Sequence, residues 1–295
     1  MNLSRYLRDK RKAVDNSLKD YISLKKKQKD IPKQLLESMA YSLMAGGKRI
    51  RPVLCIASYE AAGGKSTSIL PIAASLELIH TYSLIHDDLP SMDNDDFRRN
   101  RPTNHKVFGE ATAILAGDAL LTDAFNFISE KKADPAKLIR VIQELSHASG
   151  PCGMVGGQAV DIILEGTKAK KKDIIYIHTH KTGSLIRGSV RIGAIMADAP
   201  AVKLRSLTEY GEKTGLAFQI TDDILDIIGT KEEMGKSTGA DSAKGKNTYP
   251  SAFGLENSMK IAELLIDEAL DCLRVFDKKA DPLREIARYI LLRRN

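Results

Sequence analysis

Two runs of acidic residues carry the plainest chemical signal in this chain. The first is Asp87-Asp88-Leu89-Pro90-Ser91-Met92-Asp93, continued by Asn94-Asp95-Asp96-Phe97-Arg98-Arg99; the second is Asp222-Asp223-Ile224-Leu225-Asp226. They stand 135 residues apart, and each is fused to the end of an apolar helical run. Carboxylates crowded on apolar elements repel one another and lose solvation unless cations offset both effects. Hard oxygen donors select magnesium, which keeps few protein ligands and shares its shell with phosphate oxygens. The clusters therefore imply a phosphorylated substrate. Within the second cluster, Asp222 and Asp226 are four apart and Asp223 and Asp226 three apart, spacings that share one helix face. In the first, Pro90 intervenes, so Asp93 must reach back toward Asp87 and Asp88 from a turn.

Basic residues gather near the acids. Arg98 and Arg99 follow the first cluster, and Gly47-Lys48-Arg49-Ile50-Arg51-Pro52 forms a second basic group just after a helix stop. Guanidinium forks match phosphate oxygens bidentately and lysine adds a point charge. His80 lies seven residues before Asp87, two helical turns away on the same face. Lys181-Thr182 and Lys236 form a third group able to reach a phosphate held by the acids.

These groups need helices to position them. The periodicity is helical almost throughout, with segments expected at 4–28, 32–45, 51–62, 68–89, 110–131, 135–149, 157–165, 171–197, 201–228, 252–275 and 281–292. Val/Ile-rich alternation bounded by hairpin turns is missing, so the fold class expected is all-α, a single-domain helical bundle over residues 1–295. Acids at a helix C-terminus oppose the macrodipole, a conflict between stability and placement that is typical of a functional site.

Composition narrows the functional classes. The chain has 295 residues, 43% hydrophobic, with no linker-like or low-complexity tract. Its net charge of +7 suits nucleic acid, an anionic membrane surface or an anionic small molecule. Aromatics are 5% with no Trp, which disfavours base stacking, and a nucleic-acid binder would leave both acidic clusters unexplained. Cys55, Cys152 and Cys272 are scattered, without the spacing of a disulfide framework or a zinc site. The charged N-terminus lacks an apolar signal region, and no run of 18 apolar residues occurs. The expectation is a cytoplasmic protein with no stable membrane insertion.

The segments LIHTYSLIHDDLPSMDNDDFRRNRPTNH, GGKRIRP, GMVGGQAVDI, HTHKTGSLI and FQITDDILDIIG together resemble the trans-isoprenyl (polyprenyl) diphosphate synthases, in that family's order and over roughly residues 30–295. The likeness is greatest to bacterial farnesyl diphosphate synthases. It implies the isoprenoid synthase fold around a deep central cavity, a homodimer, and condensation of isopentenyl diphosphate with an allylic diphosphate. It implies up to three Mg2+ per active site, with Mn2+ as a substitute, held by Asp87, Asp88 and Asp93 and by Asp222, Asp223 and Asp226, some through water. It places the allylic diphosphate near Arg98, Lys181 and Lys236, with Lys246 as a further contact, and the isopentenyl diphosphate near Lys48, Arg51, His80 and Arg99. Thr182 and Gln219 resemble the polar groups lining the path of the developing cation.

Tyr82 and Ser83, five and four residues before Asp87, would form the floor on which the growing chain ends. With the two-residue insertion in the first cluster they resemble the farnesyl class; geranylgeranyl and geranyl products are the alternatives. A class I terpene cyclase would share the ionisation chemistry without needing Lys48, Arg51, His80 and Arg99. Non-catalytic synthase subunits commonly lose motif aspartates, and all six remain here. The usual glycine after the arginine pair is Asn100, which stiffens that loop.

Overall fold

The structure is a computed structural model and describes residues 1–228 and 246–292. The regular structure of its described residues is helical apart from one short two-stranded hairpin, so the fold is all-α. The chain divides into two compact units. One comprises residues 2–56 and 66–142; the other comprises 57–65 and the described residues from 143 onward, with Met1.

The first unit contains Leu3–Lys26 (α1), Lys33–Leu43 (α2), the start of Ile50–Ala61 (α3), Ile69–Asp87 (α4), Phe97–Arg98 (β1), Arg101–Pro102 (β2), Asn104–Phe108 (α5), Glu110–Ser129 (α6) and the start of Pro135–Ser149 (α7). The Asn2 side chain caps α1 by accepting the Arg5 N–H at 2.9 Å, and Lys25 and Lys26 suit the negative end of its dipole. Helix α4 is buried nearly all round: Ile72, Ala73, Ala74, Leu76, Leu78 and Ile79 are at most 1% exposed. It packs on α6, α1 and α2.

Helices α4 and α6 are long and apolar enough, by length and composition, to cross a membrane, although neither holds an uninterrupted apolar run of 18. Two-thirds of the α4 window is buried inside the protein, the condition of a core helix.

Among the described residues the hairpin is the one departure from the all-helical expectation. Arg98 pairs with Arg101, leaving Arg99 and Asn100 as a two-residue loop with φ of +52° and +59°. Two positive φ values are what a primed hairpin turn requires. Asn tolerates that region better than any residue with a larger side chain, so Asn100 replaces glycine at modest cost. Tyr41 of α2 anchors the hairpin. Its hydroxyl donates to the Pro102 carbonyl at 2.8 Å, and Arg101 lies 4.2 Å over its ring.

The second unit contains the rest of α3 and α7, then Met154–Ile163 (α8), Lys171–Ile177 (α9), a π-helical turn His178–Gly183, Ser184–Met196 (α10), Ala201–Ile228 (α11), Tyr249–Phe253 (α12), Leu255–Cys272 (α13) and Asp281–Leu292 (α14). Helix α11 is its spine, packed on α10, α13 and α14. Ile220 and Ile224 of α11 meet Ile174, Tyr249 and Ala262 in a buried cluster.

Two expected helices are broken. The π turn interrupts 171–197, a wide turn of a kind often found at functional sites. Gly254, at φ +82°, separates α12 from α13 within the expected 252–275 helix.

Candidate active site

The first unit holds the first acidic cluster at the end of α4. Asp87 is the last helical residue and Asp88 its C-cap. The chain then folds back: the Asp93 N–H donates to the Asp87 carbonyl at 2.8 Å, and the Asn94 N–H to the Leu89 carbonyl at 3.1 Å. These bonds satisfy carbonyls the helix end would otherwise leave open, and they return Asp93 to the neighbourhood of Asp87. Asp88 is 3% exposed, and Arg98 donates to its Oδ1 from Nε at 2.6 Å. Burial still pushes its carboxyl above the usual range, with Asp95 and Asp93 adding to the rise and Arg98 opposing it.

The basic residues of this unit rest on a buried acid that sequence reasoning passed over. Glu77, 1% exposed, accepts from Arg49 Nη1 at 2.6 Å, and Arg49 Nε donates to Asp15 at 2.9 Å. Burial works against the Arg49 charge, but Glu77 and Asp15 more than offset it. Arg99 lies 4.0 Å from Glu77 and donates to the Gly46 carbonyl. Gly47, at φ +126°, sits so close to Arg99 that a Cβ would lie 2.7 Å from its guanidinium carbon, which is why the loop needs glycine there. The visible signal was a single acid inside the apolar run IAASLELIH, since a buried charge demands a partner.

His80 is held well below its usual pKa by burial first, then by Arg51, Arg99, Arg98 and Arg49. Below about pH 6.5 the unfolded chain therefore binds a proton that the native protein refuses. Stability is full above that pH and falls as the solution is acidified. Guanidinium unfolding at pH 5.5 and 7.5 should show a smaller acid loss for His80→Gln than for the parent.

Tyr82 is 5% exposed, meets the His86 ring edge-on at 5.7 Å, and has its phenol pushed up to about 12 by burial and by Asp87. The Ser83 hydroxyl donates back to the His80 carbonyl at 2.9 Å.

The second unit gathers the other candidates. A polar cavity of about 90 Å³ is lined by Asp161, Ile177, His178, Lys181, Thr182, Gln219, Asp223, Lys246, Asn247 and Thr248. Asp222 and Asp226 are half-buried on α11, and Asp223 is 3% exposed. Asp223 Oδ2 accepts from His178 Nε2 and from the Tyr249 backbone N–H, both at 2.7 Å, and its Oδ1 accepts from Gln219 Nε2 at 3.0 Å. Thr182 donates to Gln219 Oε1 at 2.7 Å, and Lys181 Nζ to Asp161 at 2.6 Å. Gly157 lets α8 approach the π turn, since a Cβ there would lie 2.1 Å from the Lys181 nitrogen. Asn247 pins the segment before α12 by donating to the Leu164 carbonyl at 2.9 Å. Lys236 lies outside the described residues. Sequence reasoning missed His178, Asp161 and Asn247. His178 and Asp161 do lie within the HTHKTGSLI and GMVGGQAVDI motifs.

The donor set fits magnesium. Both clusters offer only oxygen, and Asp88 is a carboxylate whose charge burial disfavours and whose neighbours are acids, a place a cation would stabilise. Among the described residues no three such side chains already converge on one point.

A helical scaffold carrying two oxygen-only acidic clusters, each near guanidinium or ammonium groups, is that of an enzyme handling a diphosphate. The family model described as polyprenyl synthetase matches residues 32–283, and the chain belongs to that family. It is similar to a geranylgeranyl diphosphate synthase of Cyanophora paradoxa, 48% identical over 100% of this chain and 97% of the relative. It is similar also to a farnesyl diphosphate synthase of Geobacillus stearothermophilus, 45% identical over 99% of this chain and 98% of the relative. A solved FPP/GFPP synthase from Zymomonas mobilis superposes with a TM-score of 0.85 at 38% identity, over 98% of this chain and 99% of that one. The protein is a trans-prenyltransferase, and isoprenyl diphosphates are its substrates.

Proposed function

We propose that this protein condenses isopentenyl diphosphate with dimethylallyl and then geranyl diphosphate, head to tail, giving (2E,6E)-farnesyl diphosphate. In this reading residues 1–295 work as one catalytic domain, and both acidic clusters serve the same allylic diphosphate. Asp87, Asp88 and Asp93, with Asp222, Asp223 and Asp226, would hold up to three Mg2+ or, in their place, Mn2+. Bound there, the ions would neutralise the diphosphate as it leaves. Lys181, Arg98, Lys236 and Lys246 orient that diphosphate; Lys48, Arg51, Arg99 and the neutral His80 hold the isopentenyl partner. Thr182 and Gln219 offer oxygen atoms along the path of the allylic cation. Alignment of the cation with the double bond and exclusion of water complete what the chain supplies. Among the described residues no side chain is an obvious base, and in this reading, as the family resemblance implies, the departed diphosphate takes the final proton.

Tyr82 is the observation that carries the farnesyl reading. A buried aromatic five residues before Asp87 sets a steric stop for the growing chain. Relatives include both farnesyl and geranylgeranyl synthases, so the product is read from this residue. Incubation with labelled isopentenyl diphosphate, each primer and magnesium should give mainly a fifteen-carbon product, and Tyr82→Ala should shift the profile to twenty carbons or more. A parent that makes chiefly twenty-carbon product would favour the geranylgeranyl reading, and an unchanged profile in Tyr82→Ala would remove the floor role. A cytoplasmic homodimer completes the proposal; exposed Ile114 and Leu115 on α6 support a covered face in the dimer.

A further inference from the structure

Asp223 differs from its neighbours in the second cluster. Asp222 and Asp226 are half-buried, whereas Asp223 is 3% exposed. Asp223 accepts three hydrogen bonds, from His178, Gln219 and the Tyr249 N–H. A carboxylate has about four lone-pair sites, so little capacity is left for an ion. Its three donors come from three separate pieces of chain: the π turn, α11 itself and the first residue of α12.

The consequence reaches the two groups assigned to the cation path. Asp223 Oδ1 accepts from the Gln219 NH2, and this turns Gln219 Oε1 the other way. That oxygen then accepts the Thr182 hydroxyl proton at 2.7 Å. With its proton committed, Thr182 can present only lone pairs to anything else. Two oxygen acceptors with fixed dipoles suit an electron-poor carbon, and an amide flip would put N–H groups there instead.

We propose that Asp223 is a positioning residue, which fixes the Gln219–Thr182 acceptor pair and ties His178 and the start of α12 to α11, while Asp222 and Asp226 serve as the metal-holding acids of this cluster. The proposal rests on the prenyl-transfer reading above and refines the ligand set expected from the motif. It makes His178 part of the same support, because its Nε2–H is spent on Asp223.

The test compares Asp223→Asn with Asp222→Asn. In steady-state assays Asp223→Asn should lower kcat about 10–100-fold, as losses of supporting hydrogen bonds do. Its half-saturating magnesium and its KM for geranyl diphosphate should stay within about twofold of the parent, while Asp222→Asn should raise the magnesium requirement about tenfold or more. Gln219→Leu should lower kcat similarly, and the double variant Asp223→Asn/Gln219→Leu should be no worse than Gln219→Leu alone, as expected of residues acting as one unit. A magnesium shift in Asp223→Asn equal to that of Asp222→Asn, or losses that multiply in the double variant, would overturn the proposal. Calorimetric titration of magnesium with inorganic pyrophosphate, against a protein-free blank, makes the same comparison without turnover. A parent inactive in prenyl transfer would thus defeat the proposed reaction while the role of Asp223 is still decided. If Asp223→Asn does not fold, Gln219→Leu carries the test: lower kcat with an unchanged magnesium midpoint supports the proposal, and undiminished kcat overturns it.

Discussion

Alanine at Asp87 or at Asp222 should reduce prenyl transfer by about 10²–10³-fold or more while the protein remains folded. Both side chains are half-buried, at or near the end of a helix whose dipole they oppose. Each also sits beside other acids, so removing it relieves repulsion and should leave thermal stability unchanged or slightly raised. The loss falls on the leaving group, whose charge the acids manage only through cations. Chelation by EDTA should therefore abolish activity in the parent, and added magnesium should restore it. Magnesium with inorganic pyrophosphate should also raise the melting temperature of the parent, by linkage worth about 2.7 kcal/mol at a hundredfold excess over Kd. That increment should shrink in both variants. Full activity in Asp87→Ala, or equal activity in EDTA, would contradict the metal assignment.

The second large effect is on stability. Glu77→Gln should cost about 3–5 kcal/mol, because Arg49 and Glu77 are each 1% exposed and 2.6 Å apart. Such a loss leaves the buried guanidinium with the Leu43 carbonyl and with Asp15, a counter-charge that is itself partly solvated. For a chain of this size the melting temperature should fall by roughly 6–20 °C. Glu37→Gln is the control. Its Lys33 partner is 3.7 Å away on the surface, so the change should stay within about 0.5 kcal/mol. The Glu77 variant should also raise KM for isopentenyl diphosphate, since Arg99 and the Gly46-Gly47 loop lean on the same network. Calorimetric melting and steady-state kinetics read the two effects separately.

Burial decides these contrasts. Asp88 and Asp223, both 3% exposed, are each supplied with close donors: Arg98 for one, His178, Gln219 and a backbone N–H for the other. An acid cannot be buried without such compensation.

The six aspartates, the basic loop before α3, and the helical class were all readable from the chain alone, because each is written in neighbouring residues. Carboxylates at three- and four-residue spacing, apolar positions at helical period, and Gly or Pro at segment ends are local records of local structure. Tertiary structure decided the rest. Glu77 with Arg49, His178 with Asp223 and Lys181 with Asp161 are partners 28, 45 and 20 residues apart, and no periodic pattern announces such pairs. The hairpin at Arg99-Asn100 left only an asparagine-for-glycine clue in the sequence, and the π turn left none that was read. Their geometry depends on what packs against them: α8 at Gly157 and Tyr41 of α2. Local pattern thus names the residues able to do chemistry, whereas desolvation and long-range pairing determine which of them meet a ligand and which hold the others in place.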